Sequence, residues 1–255
     1  MKMGILDMWK RHRLASQLHD PDPRIRIEAV EGIAEIGGSG MIDLLLNALH
    51  EPSNKGLVQA RIIAALGFLR SREAIPLLLR ILTDMNDSST VVRKRAAEAL
   101  GDIGDAEAVR PMMQLLCDGE QRDRIDEELA ARIRSSLLEI GGRNHHPFLE
   151  ALNSSDTCIR IEAIRVLGDL GRSDLIPHLR DALADRHYMI RIGAAAALGR
   201  IGGAGEIEAL SSAMKDVNRD VRDAAKHAIL EIRRRFQEAN PPTGGGYENG
   251  GETKS

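Results

Sequence analysis

The chain has 255 residues, of which 43% are hydrophobic and 29% are charged, and its formal net charge at pH 7 is −3. This balance indicates a soluble folded protein and excludes a global attraction to nucleic acid or to an anionic membrane, so that any such attraction has to be local. Aromatic residues make up only 2%, and a core of Ala, Leu and Ile favours closely packed helices over a β-sandwich or barrel.

The first segment of the chain, residues 1–12, differs in pattern from the rest of the protein. It carries three apolar side chains, Ile5, Leu6 and Trp9. On one straight helix they lie roughly 140° away from the later apolar pair Leu14 and Leu18, at about 100° per residue. Either the chain kinks near the basic residues 10–13, or these apolar side chains point away from the rest of the fold. We predict an end cap; the alternative is a small contact with a partner or an anionic membrane surface.

The dominant pattern is a repeat aligned on one position, which we call the anchor. It occurs seven times, at spacings of 30 to 37 residues, as Arg26, Gln59, Arg93, Ala130, Arg160, Arg191 and Arg222. The residues one before and three, seven and ten after the anchor are apolar in every copy. These positions form one face of an α-helix, and the period is that of helical solenoids.

A shorter apolar helix is predicted before each anchor helix, for example over residues 74–82. Glycines are predicted to end the second helices in a left-handed conformation, at Gly37, Gly104, Gly141, Gly171 and Gly202. We therefore predict an all-α, right-handed α-solenoid of about seven helix pairs over residues 13–238. Residues 239–255 are rich in Gly and Pro and are predicted to form a disordered tail.

The motif Asp-x-x-x-x-Val/Ile-Arg-x-x-Ala-Ala-x-Ala-Leu-Gly-x-Ile-Gly, clearest at residues 84–104, 185–202 and 216–232, resembles the HEAT repeats of the prokaryotic bilin-lyase-like (PBS-lyase) subclass. The resemblance implies an armadillo-type fold, which hosts many unrelated functions. It also implies a structural ladder in which the acid and the anchor arginine bond each other and neighbouring loops. The implied pairs are Asp20/Arg26, Asp84/Arg93, Asp185/Arg191 and Asp216/Arg222. The second, fourth and fifth repeats lack one member, so the ladder is expected to be weaker there, including at Arg160.

The candidate binding site lies on variable positions of the second helices, which the resemblance places on the concave face. Two residues after the anchor, the central repeats carry Arg61, Arg95 and Arg132, close to helix N-termini, where the backbone dipole favours anions. We predict that these arginines bind an acidic or phosphorylated segment. Glu98 and Phe68 complete the predicted surface.

One further observation supports this site, and one alternative interpretation opposes it. The loops before the anchors are longer in the same repeats, at residues 53–56, 86–90 and 119–124, and are expected beside the arginines. The alternative interpretation is an ordinary solvated face, with Glu98 paired to Arg95 and Glu128 paired to Arg132.

Enzymatic and cofactor-binding interpretations find less support. HEAT-like di-iron hydroxylases carry His-Glu pairs at the two positions after the anchor, where this chain has Glu28 and Glu162 but no histidine. We therefore expect no metal and no cofactor. Nucleic acid is disfavoured because the outer repeats are acidic or neutral and lack stacking aromatics. Cys117 and Cys158 form no CxxC pair and no framework, which indicates structural residues in a reducing compartment.

The chain lacks a secretion-type apolar region and a run of about 18 apolar residues. The sequence therefore predicts a cytoplasmic, non-catalytic protein-interaction scaffold that binds a protein or acidic peptide on its concave face. The alternative is an accessory subunit of an enzyme system, such as a bilin-lyase-like chromophore-handling protein.

Overall fold

The computed structural model describes residues 5–84, 89–118 and 125–239. Within these ranges the chain is helical, without strands, and the prediction of an all-α solenoid class is confirmed. No helix in them is both long and apolar enough to cross a membrane. The α-helices are α1 (Ile5–Gln17), α2 (Pro23–Ile36), α3 (Ser39–Leu49), α4 (Leu57–Phe68), α5 (Ile75–Thr83), α6 (Thr90–Ile103), α7 (Val109–Cys117), α8 (Glu127–Arg143), α9 (His146–Ala151), α10 (Thr157–Asp169), α11 (Ile176–Asp181), α12 (Tyr188–Ile201), α13 (Ile207–Ala213) and α14 (Arg219–Ala239).

The chain divides into two compact units. The N-terminal unit, Met1–Leu170, contains α1–α10, and the C-terminal unit, Gly171–Ser255, contains α11–α14. In both units the helices follow one another as pairs, and each anchor lies in the second helix of its pair. The predicted boundary after residue 12 falls inside α1. Residues 240–255 of the predicted tail lie outside the described residues.

Polar caps determine where the second helices begin. Four residues before the anchor, a side chain accepts a hydrogen bond from a backbone N–H of the first turn, which would otherwise lack a partner. The capping residues are Asp22, Ser89, Asp126, Asp156, His187 and Asn218. The second repeat departs from this pattern, since its cap is Gly56.

A glycine eight residues after the anchor allows neighbouring second helices to approach closely. A Cβ on Gly67 would lie 2.8 Å from the Ala99 Cα of the next repeat, and a Cβ on Gly101 would lie 2.9 Å from the Ser136 Cβ. In the C-terminal unit a Cβ on Gly199 would lie 2.8 Å from the Ala228 Cα. The second helices α4, α6 and α8 of the N-terminal unit therefore form a tight layer, whose outward positions lie side by side.

The glycine prediction at the helix ends is only partly right. Gly37, Gly104 and Gly171 have positive φ angles of 63°, 74° and 68°. Gly141 lies inside α8, which continues to Arg143, and Gly202 ends α12 with a φ of −71°. Gly141 instead allows α8 to pack closely on α10, because a Cβ there would lie 3.2 Å from Val166 Cγ1.

Helix α1 is continuous through the basic residues 10–13, so the chain does not kink there. Leu14 and Leu18 are 4% and 1% exposed, whereas Trp9 is 66% exposed. Trp9 therefore faces away from the core, as expected if the apolar side chains of this segment point away from the rest of the fold. The side chains of Ile5 and Leu6 lie outside the described residues.

A disulfide joins Cys117 to Cys158, with their Cα atoms 5.6 Å apart. The prediction that the two cysteines form no framework is wrong, and the inference of a reducing compartment loses its support. The residues are 41 positions apart, and only helix stacking brings the end of α7 to the start of α10.

Candidate anion-binding face

Four of the five anchor arginines donate a hydrogen bond to the backbone carbonyl group six residues earlier. The four Nη1–O distances are 2.6 Å for Arg26 to Asp20, 2.8 Å for Arg160 to Ser154, 2.8 Å for Arg191 to Asp185 and 2.7 Å for Arg222 to Asp216. A backbone carbonyl does not depend on the residue type. Arg160 therefore makes the same bond although Ser154 replaces the acid, and the weakening expected in the fifth repeat is not observed.

The ladder connects repeats through a second set of contacts. Arg26 Nη2 donates to the Ser53 carbonyl oxygen at 3.0 Å, in the loop of the following repeat. Arg191 donates to both carboxylate oxygens of Asp216 at 2.7 and 2.8 Å. This pair raises the pKa of Arg191, and the same bond, with the Asn218 amide, lowers the pKa of Asp216.

Arg93 is the charged anchor of the three central repeats, and it is deeply buried. It is 4% exposed, and its Nε donates to the Leu82 carbonyl oxygen at 2.9 Å. Burial lowers the pKa of Arg93, and the nearby carboxylates of Asp126 and Asp84 act in the opposite direction. The anchors are thus structural groups, and a binding surface has to come from the outward positions.

The three predicted arginines lie on the second-helix layer of the N-terminal unit, but they do not form a uniform column. Arg95 Nη1 lies 2.6 Å from Glu98 Oε2, and Arg132 Nη1 lies 3.2 Å from Glu98 Oε1. The structure therefore brings Arg95 and Arg132 together around one carboxylate. Arg61 is separate, since its Nη1 lies 3.7 Å from Glu31 Oε1.

The predicted partner of Arg132 is corrected by the same geometry. Glu128 forms an ion pair with Lys94, while Arg132 shares Glu98. Two guanidinium groups around one carboxylate leave one positive charge uncompensated within this trio. The arginine side chains are 51% and 45% exposed, against 26% for Glu98, so the excess charge faces solvent.

A second trio, not predicted from the sequence, lies around Glu162, and its charges are balanced differently because Arg134 Nη1 also lies 3.6 Å from Glu127 Oε1. Arg165 Nη1 lies 3.2 Å from Glu162 Oε1, and Arg134 Nε lies 3.8 Å from Glu162 Oε2. Glu162 is 4% exposed. Arg134 stands four residues after its anchor, where Val30, Ile63, Ala97 and Ile164 stand in the other repeats of this unit. A charge in an otherwise apolar column was the available signal.

The remaining predicted features are placed as follows. Phe68, the last residue of α4, is 73% exposed. Residues 53–56 form a loop whose Ser53 carbonyl group is held by Arg26. Residues 86–88 and 119–124, predicted to lie beside the arginines, fall outside the described residues.

The positions that carry His-Glu pairs in HEAT-like di-iron hydroxylases do not fit a metal pair here. These positions contain three carboxylates, Glu28, Glu162 and Asp223, but no histidine, and Glu162 is buried beside two arginines. In the described part of the chain, no group of three or more His, Cys, Asp and Glu side chains is arranged to hold a metal ion.

Comparison with known proteins identifies the repeat. The family model described as HEAT repeats matches residues 42–131 and 146–229. Deoxyhypusine hydroxylase of Gallus gallus is 36% identical over 84 residues, covering 33% of this chain and 27% of that protein. The enzyme of Arabidopsis thaliana is 32% identical over 140 residues, which cover 54% of this chain and 43% of that protein. The chain thus spans less than half the length of these curated relatives.

Solved structures with similar helical architecture include human deoxyhypusine hydroxylase in complex with glycerol. It is 24% identical, with a TM-score of 0.39, and the match covers 90% of this chain and 99% of that one. The complex of CpcE and CpcF of phycocyanin lyase from Nostoc sp. PCC7120 is 20% identical, with a TM-score of 0.44. The match covers 89% of this chain and 92% of that one.

The curated relatives correct the functional prediction. Proteins named deoxyhypusine hydroxylase are enzymes, and relatives of that name share 31% to 36% identity with this chain. The prediction of a non-catalytic scaffold that is not an enzyme is therefore contradicted. The positions after the anchors do not reveal this relationship, because no histidine stands there.

Proposed function

Because the chain belongs to the HEAT-repeat family, whose second helices present their outward positions side by side, we propose that the N-terminal unit binds an anionic segment of a protein. The segment is rich in carboxylates or phosphorylated, and it contacts Arg95 and Arg132, with Arg61 and Phe68 at the flank. The observation that supports this proposal is the sharing of Glu98 by two exposed guanidinium groups. Holding a protein segment in this way is also what an enzyme that modifies proteins requires of its substrate-binding surface.

The energetics of the trio suit an incoming anion. A guanidinium group has five N–H donors and binds carboxylate or phosphate groups in a two-point geometry. The contacts to Glu98 engage one nitrogen of each arginine. Exposed ion pairs contribute about 0 to 1 kcal/mol. A ligand that displaces the contacts between the arginines and Glu98 therefore sacrifices little free energy. The positive charge left uncompensated by Glu98 adds to the attraction.

Fluorescence anisotropy with labelled peptides tests this proposal. An Asp/Glu-rich peptide and a phosphoserine peptide are compared with an Asn/Gln version of the same length. The double variant Arg95→Glu/Arg132→Glu is expected to weaken binding of the anionic peptides about tenfold or more, which corresponds to about 1.4 kcal/mol. The control Arg219→Glu/Arg233→Glu changes the net charge equally on exposed residues of the C-terminal unit. Equal losses in both variants, or equal binding of the neutral peptide, would contradict the proposal.

A second candidate function is hydroxylation of the kind for which the curated relatives are named. Identity of 31% to 36% supports it, whereas the histidine-free positions after the anchors oppose the metal chemistry of HEAT-like di-iron hydroxylases. The test is incubation of the purified chain with a deoxyhypusine-containing protein, ferrous iron, a reductant and molecular oxygen, which supplies the oxygen atom. Addition of one oxygen atom, measured by mass spectrometry, would establish this activity, and an unchanged mass beside an active relative would exclude it.

The bilin-lyase-like subclass of the repeats and a cytoplasmic location are also proposals. The motifs at residues 185–202 and 216–232 support the subclass as a sequence pattern. Fractionation of the native cell, followed by immunoblotting, tests the location.

A further inference from the structure

The joint between the fourth and fifth repeats is built differently from the two joints that precede it in the N-terminal unit. Gly67 and Gly101 bring their helices into contact with the next second helix. At the corresponding position of the fourth repeat, α8 carries Leu138, which is 36% exposed. A leucine side chain prevents that approach at this position, and α8 instead packs on α10 at Gly141, where an added Cβ would lie 3.2 Å from Val166 Cγ1.

A charge cluster with a buried carboxylate occupies this joint. Arg134 of α8 and Arg165 of α10 both approach Glu162 of α10, whose side chain is 6% exposed. The side chains of Arg134 and Arg165 remain 33% and 43% exposed, so only Glu162 is largely removed from water, and the cluster adds little net stability to the joint. α8 and α10 contact each other less extensively than α4 and α6 or α6 and α8 do, so this joint depends less on packing between second helices than the two joints before it.

The disulfide crosses the same joint. Cys117 is the last residue of α7, the first helix of the fourth repeat, and Cys158 lies in the first turn of α10, the second helix of the fifth. The bridge closes a separation of 41 residues that contains all of α8 and α9. Both cysteines are partly exposed, so a small thiol reagent can reach the bond.

We propose that the Cys117–Cys158 disulfide is a redox-sensitive clamp that controls the arginine face. On reduction by a dithiol, the S–S bond breaks, the two sulfur atoms take up two electrons and two protons, and the dithiol is oxidised to its disulfide. Without the clamp, α10 moves relative to α8. Arg132 and Arg134 on α8 then lose their alignment with Arg165, and an anionic segment that spans both trios binds less tightly.

The effect on ligand binding rests on the proposed function, so the experiment has a readout that does not need a ligand. Free thiols of the air-oxidised full chain are counted in denaturant without reductant. No free thiol is expected, and two would overturn the proposal. Amide hydrogen exchange is then followed in the first turn of α10, with and without dithiothreitol. Faster exchange after reduction supports the clamp, and unchanged exchange overturns it.

Peptide affinity is measured in the same two states. The wild type is expected to bind the anionic peptide severalfold more weakly after reduction. The variant Cys117→Ser/Cys158→Ser is expected to show the weaker affinity in both states, and Cys158→Ala serves as a second variant should the double variant fold poorly. Equal affinity of oxidised and reduced wild type would overturn the control of binding. If no peptide binds in either state, the proposed function fails, while the exchange data still decide whether the clamp exists.

Discussion

Arg191 and Asp216 form a two-point ion pair between the sixth and seventh repeats, with N–O distances of 2.7 and 2.8 Å. Their side chains are only 12% and 13% exposed. Asp216 also accepts a hydrogen bond from the Asn218 amide at 2.8 Å, at the start of α14. One carboxylate thus connects the two repeats of the C-terminal unit and helps to begin its last helix.

This pair predicts a pH dependence of stability. The bond from Arg191, followed by the Asn218 amide, lowers the pKa of Asp216 from 3.8. A lowered folded-state pKa contributes stability that is complete above the unfolded value and is lost as the pH falls through the folded value. We expect the difference in free energy of unfolding between wild type and Asp216→Asn to be constant above about pH 5 and to shrink below about pH 4. Urea titrations followed by circular dichroism measure this difference. The control Asp220→Asn, at an exposed acid of α14, should show no such change.

The ladder predicts unequal effects for its two members in the first repeat. Arg26 is 8% exposed and donates to the backbone of Asp20 and Ser53. Arg26→Met should destabilise the protein by about 1–3 kcal/mol, because it leaves carbonyl groups without donors. Asp20→Asn keeps both the carbonyl group and an oxygen for the Asp22 amide, so we expect a change within about 0.5 kcal/mol. Chemical denaturation measures both, and a larger loss for Asp20→Asn would instead support a side-chain pair.

The glycine column predicts opposite effects for two Gly→Ala substitutions in helices. At Gly67 the new methyl group would lie 2.8 Å from the Ala99 Cα, and overpacking of this kind costs about 1–3 kcal/mol. The gain in helix propensity of up to about 1 kcal/mol does not offset a backbone collision. A Cβ on Gly142 meets nothing within 4 Å, so Gly142→Ala should stabilise α8 by about 0.5–1 kcal/mol. Thermal melts compare the two, and stabilisation by Gly67→Ala would refute the close approach.

The shared carboxylate predicts a variant with improved binding. Glu98→Gln removes the internal anion between Arg95 and Arg132 and leaves both guanidinium groups for the ligand. Affinity for an anionic peptide should rise about threefold to tenfold, equivalent to about 0.6–1.4 kcal/mol. Glu208→Gln, at an exposed position of α13, makes the same change in net charge elsewhere. If both variants bind equally well, the gain comes from net charge and not from the trio.

Sequence alone determined the repeated helix pair. Apolar residues at one before and three, seven and ten after the anchor recur in all seven copies, and this spacing is a local property of the chain. A residue such as Leu100, which is 0% exposed, is therefore predictable without knowledge of its neighbours. The candidate residues Arg95 and Arg132 were predictable for the same reason, since their positions relative to the anchor define their face.

Only the tertiary structure decided which residues meet. The anchor arginines donate to backbone carbonyl groups, which no side-chain pattern reveals, and this is why Arg160 joins the ladder beside Ser154. Glu98 contacts arginines from two helices, and Cys117 reaches Cys158 across 41 residues. These contacts depend on how closely and at what angle successive helices stack. Helical periodicity specifies the face on which a residue lies, whereas its partner is selected by the distance between helices that packing determines.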